Sequence, residues 1–529
     1  MSARTALASY ARHQLPRVLT QMDRDPDSPT FGAFDRHHWH YKVRDFPSAI
    51  LQQGAWTVEA LRRGWVAPPP GGEIERDTVE SWAVAAVAAL GRMVDRRGGV
   101  DEYYPFERSF PAAAFGLWTA ARLAADWREG ASHLLERIDW TPLARLARGL
   151  ARRAETAAAN QQAAALAGLA LAAGEERFGL APGAAAPHAA RLFAAQHAEG
   201  WFPEYGGPDF GYLTVTLDAL ADYADATGDP RAAAATDRAV DFLASLVGAD
   251  GRLPSTLNSR NTDYVVPYGL ARAAARSPRA AWLVETLFAG AADPAHFLWA
   301  TDDRYHAHYV YASCLRALPH LERAAPAEPP RRRGVWLPGC GHLAHHAADG
   351  LWSAYVAARK GGLVRVHRCG GPPLVEHGWR LGAGRRLWTS NGWTEDWQVE
   401  RTGDALTVRG KMQAASFLVP TPAKHALLRL GARLFGPRLL PWLRRRLIFR
   451  PGAATGPSFE RRVEVSDAGV EVEDRFSPLS GAPRRGPRQN LRHVASADSF
   501  SPEELAPAVR GPVERQADGT WRARWTWTP

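Results

Sequence analysis

An N-terminal all-α domain of repeated helix pairs joined to a C-terminal antiparallel β-sandwich is the architecture this sequence predicts. Three observations carry it. Between residues 78 and 320, ten helical patterns alternate with Gly- and Pro-bearing loops. Similar loops recur at a regular interval: Gly99-Val100-Asp101-Glu102-Tyr103-Tyr104-Pro105, Glu199-Gly200-Trp201-Phe202-Pro203-Glu204-Tyr205 and Asp250-Gly251-Arg252-Leu253-Pro254 set their glycines 101 and then 51 residues apart. Past residue 335 the apolar period drops to two. A unit near 50 residues is the length of two helices with their connections. Such a pair cannot bury its inner face alone, so it must stack on neighbours as a solenoid or close into a ring. Ring closure would gather the loops at one end.

In chain order, residues 1–77 read as an arm packing on the helical domain. Within it His37-His38-Trp39-His40 with Tyr41 and Lys42 offers aromatic and basic groups suited to sugar faces and carboxylates. Residues 78–324 carry the helical repeats, expected at 78–97, 109–129, 139–153, 157–175, 187–198, 213–227, 231–247, 264–276, 278–291 and 304–318. Residues 325–334, rich in Pro and Arg, read as a linker. Strands are expected in 335–529 at 362–368, 374–381, 386–390, 405–411, 458–466, 469–475, 490–496 and 520–527. The stretch 423–450 interrupts them with Lys424, Arg429, Arg433, Arg438, Arg444, Arg445, Arg446 and Arg450 and no acidic residue. Two readings stand for this insertion: peripheral contact with an anionic membrane surface or polyanion, or a solvated helix packing its Leu face on the sandwich.

Composition narrows the function classes. With 46% hydrophobic residues, 20 Trp and 19 Phe, the 529-residue chain can bury real cores and is not mainly disordered. Three cysteines, Cys314, Cys340 and Cys369, fit neither a disulfide framework nor a paired zinc module and agree best with a reducing compartment. The N-terminal stretch has no apolar segment of signal-peptide type and no run of about 18 apolar residues is free of charge, so the expected location is cytoplasmic, with the option of peripheral contact with the inner membrane. A net charge of +10 favours an anionic partner, although an Arg- and Ala-rich composition accounts for it equally well. No nucleic-acid motif and no cofactor motif accompanies the charge.

The ordered set Gly32-Ala33-Phe34-Asp35-Arg36 with Trp39 and Asp45-Phe46, Asp101 to Ser109, Gly200-Trp201-Phe202-Pro203-Glu204-Tyr205-Gly206-Gly207 with Gly211-Tyr212, Asn258-Ser259-Arg260-Asn261-Thr262, and Lys360-Gly361-Gly362 resembles the heparinase II/III-like family of polysaccharide lyases over most of the chain. The resemblance implies an incomplete (α/α) toroid of about five helix pairs, whose cleft is partly walled by the sandwich and cuts uronic-acid polymers by β-elimination. That reaction needs donors that neutralise the uronate carboxylate, a base for the weakly acidic C5 proton and an acid for the leaving oxygen. A Tyr base needs cationic neighbours to bring its phenol below the reference value near 10.

Tyr212, at the expected start of a helix, resembles the family's catalytic tyrosine, with Tyr205 as the near rival. Asn160, inside AAANQQAAALAGLALAA, matches the Asn that grips the carboxylate; three amides in an Ala/Leu helix cost burial unless they face a polar cavity. Relatives often place a His directly after this Asn, and here Gln161 stands there, which cannot act as a base. Arg260 is a candidate carboxylate clamp or the partner of Asp263. Glu107 and Arg108 either line the cleft or pair with each other. His306, His308, His342, His345 and His346 could supply an imidazole, and among these His342 is placed with the catalytic set and His306 with the substrate-binding set. His342 and His346 have metal-ligand spacing but no evident third ligand, so no metal is assigned. Trp201, Glu204 and Trp39 complete the substrate-binding set, with Trp393 and Trp397 as further sugar platforms wherever they are exposed.

Alternatives stay open at this stage. A uronyl C5-epimerase shares the proton abstraction and returns the proton to the opposite face. A glycoside hydrolase would use two carboxylates among Glu107, Glu204, Asp209 and Asp263. A non-catalytic protein would hold an anionic polysaccharide or oligosaccharide without cutting it.

Overall fold

A computed structural model describes the chain except residues 69–70, 324–326, 328, 330–333, 384–385, 416–418, 440–441, 444–452, 480 and 487–510. Six helical segments line the inside of a ring: 49–62, Phe110–Gly130, Ala159–Ala173, Phe210–Thr227, Tyr268–Ala274 and 306–317. Each packs on the next, and the last returns to the first. Outside them lie Arg76–Met93, Thr141–Ala151, Ala186–Ala195, Pro230–Ala244, Pro278–Phe288 and, closing the circle, Ala3–Leu19. Inner helices are buried almost all round, as Ala159–Ala173 shows, whereas an outer helix such as Pro230–Ala244 buries one stripe. Proline at the first or second position and Ser or Asp caps start many of them, including Ser109, Asp209, Asp229 and Ser277.

All ten expected helices are present, with ends shifted by a few residues. Tyr268–Ala274 starts four residues late, because residues 258–266 form a loop at the ring mouth before the helix begins. Residues 1–77, expected as an arm, supply one inner and one outer helix instead. Among the described residues the ring therefore has six pairs rather than about five, and it is closed. The sixth pair escaped the repeat pattern because its outer helix, Ala3–Leu19, lies beside elements near the other end of the ring: Ala3 N donates to Glu285 at 2.9 Å and Tyr311 Oη donates to the Ala11 carbonyl at 2.6 Å.

The C-terminal part is antiparallel throughout its described strands. One sheet runs β1 (Gly334–Leu337), β2 (His342–His346), β3 (Trp352–Ala357), β4 (Leu363–Arg368) and β5 (Leu374–Val375) in that order. A second contains β6 (Trp379–Ala383), β7 (Arg386–Thr389), β10 (Gln413–Ala414) and β13 (Arg484–Arg485), ordered β10-β7-β6-β13. The third holds β8 (Gln398–Thr402), β9 (Ala405–Lys411), β11 (Ser458–Ser466), β12 (Gly469–Phe476), β14 (Val513–Arg515) and β15 (Trp521–Trp527), ordered β14-β15-β12-β11-β9-β8. Period two divides the first sheet: Leu343, Ala354, Val356, Val364 and Val366 join the core shared with Val408, Val463 and Val472, while Ala344, Tyr355, Ala357 and Leu363 join the core of the ring. That sheet is thus the middle layer, and it presents His342 to the ring. The expected strand 490–496, most of the linker 325–334, and Arg444, Arg445, Arg446 and Arg450 of the basic insertion lie outside the described residues. The insertion begins as a helix, Pro422–Phe435. No helix among the described residues is long and apolar enough to cross a membrane.

Candidate active site at the mouth of the ring

The inner helices all begin at the same end of the ring, where their unpaired N–H groups favour negative charge. Three of these starts are tied together by side chains. Asp209 caps Phe210–Thr227, accepting from Tyr212 N at 3.0 Å, and its other oxygen accepts from Thr262 N at 3.1 Å. Glu204 accepts from Asn160 N at 2.7 Å and from its side-chain amide, joining the start of Ala159–Ala173 to the next loop. Gly211 lets the loop approach, since a Cβ there would collide with Thr262 and the Tyr264 carbonyl.

Arg260 is the hub. It is 4% exposed, its guanidinium lies 4.3 Å from the Tyr205 ring centroid, and although burial works to lower its pKa, the phenols of Tyr205, Tyr212 and Tyr305 together with Asp209 raise it, so it stays charged. Tyr205 sits in the left-handed region at φ 55° and accepts from Gln161 Nε2 at 3.1 Å. One phenol is therefore flanked by an amide donor and a guanidinium. Beyond it, Tyr103 Oη lies 3.3 Å from Tyr305 Oη, and Arg304 stacks 4.2 Å from the Tyr103 ring while donating to Glu102 at 2.8 Å.

The sandwich closes the other side. His342 Nε2 lies 3.2 Å from the Leu257 carbonyl, with its ring against Phe210 and Trp393. Trp393 packs over Gly207, where any side chain would collide with the indole. Lys360, fully buried, donates to Asn261 Oδ1, and Asn261 takes φ 59°, a conformation Asn tolerates.

Burial sets the charges. It pushes Glu204 up to about 8 against the donors from Asn160, and Asp209 up to about 6 against the N–H groups of Tyr212 and Thr262. It pushes Lys360 down to about 7 and His342 down to about 4, so His342 is a neutral imidazole at neutral pH. Several buried polar atoms at this mouth have no protein partner among the described residues: both side-chain atoms of Asn258, Asn261 Nδ2 and His342 Nδ1.

The structure therefore brings Asn160, Gln161, Glu204, Tyr205, Tyr212, Arg260 and His342 to one place. Others lie elsewhere. Trp201 is buried, stacked 4.6 Å from His197 and bonded to Glu199, so it is no exposed sugar platform; Trp397 is buried in the sandwich. His306 turns to the outer helix and meets Tyr10 Oη at 3.1 Å. Glu107 holds the Tyr103 and Tyr104 N–H groups of its own loop, while Arg108 pairs with Asp95 at 2.6 Å, so the two do not serve each other. Trp39 donates to the Gln21 carbonyl within the N-terminal segment. His346 meets Ser353 Oγ and the Ser245 carbonyl, and no group of three or more His, Cys, Asp or Glu among the described residues could hold a metal. Sequence reasoning passed over Asn258, Asn261, Arg304 and Tyr305; the amides flanking Arg260 were the available signal.

No family model matches the chain, and no curated protein matches it in sequence. Solved structures do. The chain is similar to the Streptomyces coelicolor A3 chondroitin AC lyase, determined with chondroitin sulphate, at TM-score 0.54 and 12% identity over 99% of this chain and 77% of that one. It is also similar to a Paenibacillus xanthan lyase at TM-score 0.51 and 9% identity, covering 91% of this chain and 46% of that one, so it spans less than half of that protein. The likeness establishes the fold: a helical toroid followed by antiparallel sheets.

Proposed function

We propose that this protein is a polysaccharide lyase of heparinase II/III-like type, cleaving a uronic-acid-containing glycan by β-elimination. The observation that carries this reading is the convergence of two tyrosines on one buried guanidinium at the positive ends of the inner helices. Arg260 and the Asn160 amide neutralise the uronate carboxylate, which makes C5–H acidic enough to lose. Tyr212, beside the Arg260 guanidinium at the start of its helix, takes that proton; the C4–O bond breaks, and a phenol O–H returns a proton to the leaving oxygen. Glu204 and Asp209 position the apparatus by fixing Asn160 and the Tyr212 helix start. They are therefore committed to backbone N–H groups, as is Glu107, which argues against a hydrolase that needs two carboxylates facing substrate.

One observation favours a second reading. Tyr205 and Tyr212 both act on Arg260, and two proton-transfer groups on opposite sides of a uronate are what a C5-epimerase needs. The test follows ultraviolet absorbance of the unsaturated product with a panel of uronic-acid oligosaccharides and polymers, comparing wild type with Tyr212→Phe. A rise in wild type that drops ~10²–10⁴-fold in the variant supports the lyase. No rise, with solvent deuterium entering C5, moves the assignment to epimerase; neither signal, with measurable binding, leaves a glycan-binding protein.

A further inference from the structure

Helix Pro422–Phe435 stands on the body by a narrow footing. Ala432 is its one buried residue, and Arg429 pins it to Asp45 through contacts of 2.6 and 2.5 Å. Its apolar stripe faces outward. Leu427, Leu430 and Leu434, at i, i+3 and i+7, are 72%, 57% and 68% exposed, and Phe435 continues the stripe at 65%. Asp45 belongs to the segment that also exposes Tyr41 and Val43. Single exposed leucines are ordinary; a helix-long stripe of them is not. Around the stripe the helix carries Lys424, Arg429 and Arg433 and no acidic residue.

We propose that this helix docks on an anionic phospholipid bilayer, lying in the plane of the interface with the Leu427-Leu430-Leu434 stripe among the acyl chains and Lys424 and Arg433 at the phosphate level. Charge complementarity selects this occupant. A protein partner for such a stripe would need a matching acidic rim, whereas an anionic leaflet supplies apolar depth and negative surface together. The helix, about 21 Å long, lies along a surface rather than crossing it.

The full-length protein is sedimented with phosphatidylcholine vesicles, with and without phosphatidylglycerol. Binding is expected only to vesicles containing phosphatidylglycerol, weakening as salt is raised, and falling roughly tenfold or more in Leu430→Asp and in Leu434→Asp. Lys424→Glu with Arg433→Glu should abolish it while sparing the fold, since both side chains are solvent-facing. Three results would overturn the proposal: no binding to either vesicle; binding indifferent to the leucine substitutions, which would make it simple charge attraction, with capture by dextran sulfate pointing to a polyanion; or self-association in sedimentation velocity that the leucine substitutions remove, which would make the occupant a second copy.

Discussion

Two buried clusters of charge, one within the sandwich and one at the mouth of the ring, use the same residue types and complete them differently. In the sandwich, fully buried Arg461 donates from Nε to Asp474 at 2.6 Å and from Nη1 to Glu376 at 2.7 Å, with Nη2 to both carboxylates and Nη1 also to the Gly362 carbonyl. Trp379 Nε1 completes Asp474, and Arg485 stacks 3.8 Å from the Trp379 ring, its Nη1 3.7 Å from Glu376 and 3.8 Å from Asp474 with no hydrogen-bond partner at either Nη among the described residues. Every guanidinium nitrogen of Arg461 has a partner. At the ring mouth, by contrast, Asn258 has no partner at either side-chain atom among the described residues, and Asn261 and His342 each have an atom in the same condition. An unmet buried polar group costs about 1–3 kcal/mol, so a fold keeps several together only where something other than stability benefits. The Arg461 cluster closes on itself; under the proposed function, the one at the mouth keeps its polar atoms for substrate.

That contrast can be broken at its strongest point first. Arg461→Met strands two buried carboxylates and should cost about 3–5 kcal/mol in denaturant titrations, while turnover by the folded fraction stays unchanged. A variant as stable as wild type would remove the structural half of the comparison. Next, Glu204 is pushed up to about 8 by burial, above its ordinary 4.5, so the folded chain holds a proton there that the unfolded chain has lost. The stability this contributes is fully present below about 4.5 and is lost as pH rises through about 8. Wild-type Tm should fall by several degrees from pH 5 to pH 7, and Glu204→Gln should flatten that slope. Lys360, pushed down to about 7, acts in the opposite sense above that pH, while Asp209 and Asp218, pushed up to about 6 and about 7, add to the fall below it, so the difference between wild type and Glu204→Gln isolates Glu204. The smallest effect is the sharpest. Asn258→Leu keeps the branched shape and removes two unmet polar atoms, so it should raise stability by about 1 kcal/mol while lowering kcat/KM. A loss of stability there would mean that Asn258 is built into the loop rather than held for substrate.

The ring was legible because its inner helices are apolar all round and its loops repeat their punctuation, and Asn160 stood out as an amide where alanine was the rule. The sixth pair was not legible, since Ala3–Leu19 is separated from the inner segment 49–62 by 29 residues without a helix of more than four and packs instead on Pro278–Phe288 and 306–317, near the other end of the ring's sequence. Facing was harder than position. His306 and His308, two residues apart on the helical turn His306–Val310, face opposite ways, His306 to Tyr10 and His308 to Phe115 and Tyr305. Trp201 is aromatic in any reading; only the position of His197 reveals that its face is already covered.

Ring closure by the first and last helices also imposes an order on the molecule's making. The helix Ala3–Leu19 meets its main partners only when residues 278–317 exist, whereas the segment 49–62 already has Arg76–Met93 and Phe110–Gly130 to pack on. On a ribosome adding about 5–20 residues per second, that first helix would wait for roughly 10–50 s with an apolar face bare. The growing chain therefore needs protection most for the part of itself it made first, and a nascent chain stalled before residue 278 should bind holdase chaperones through Ala3–Leu19.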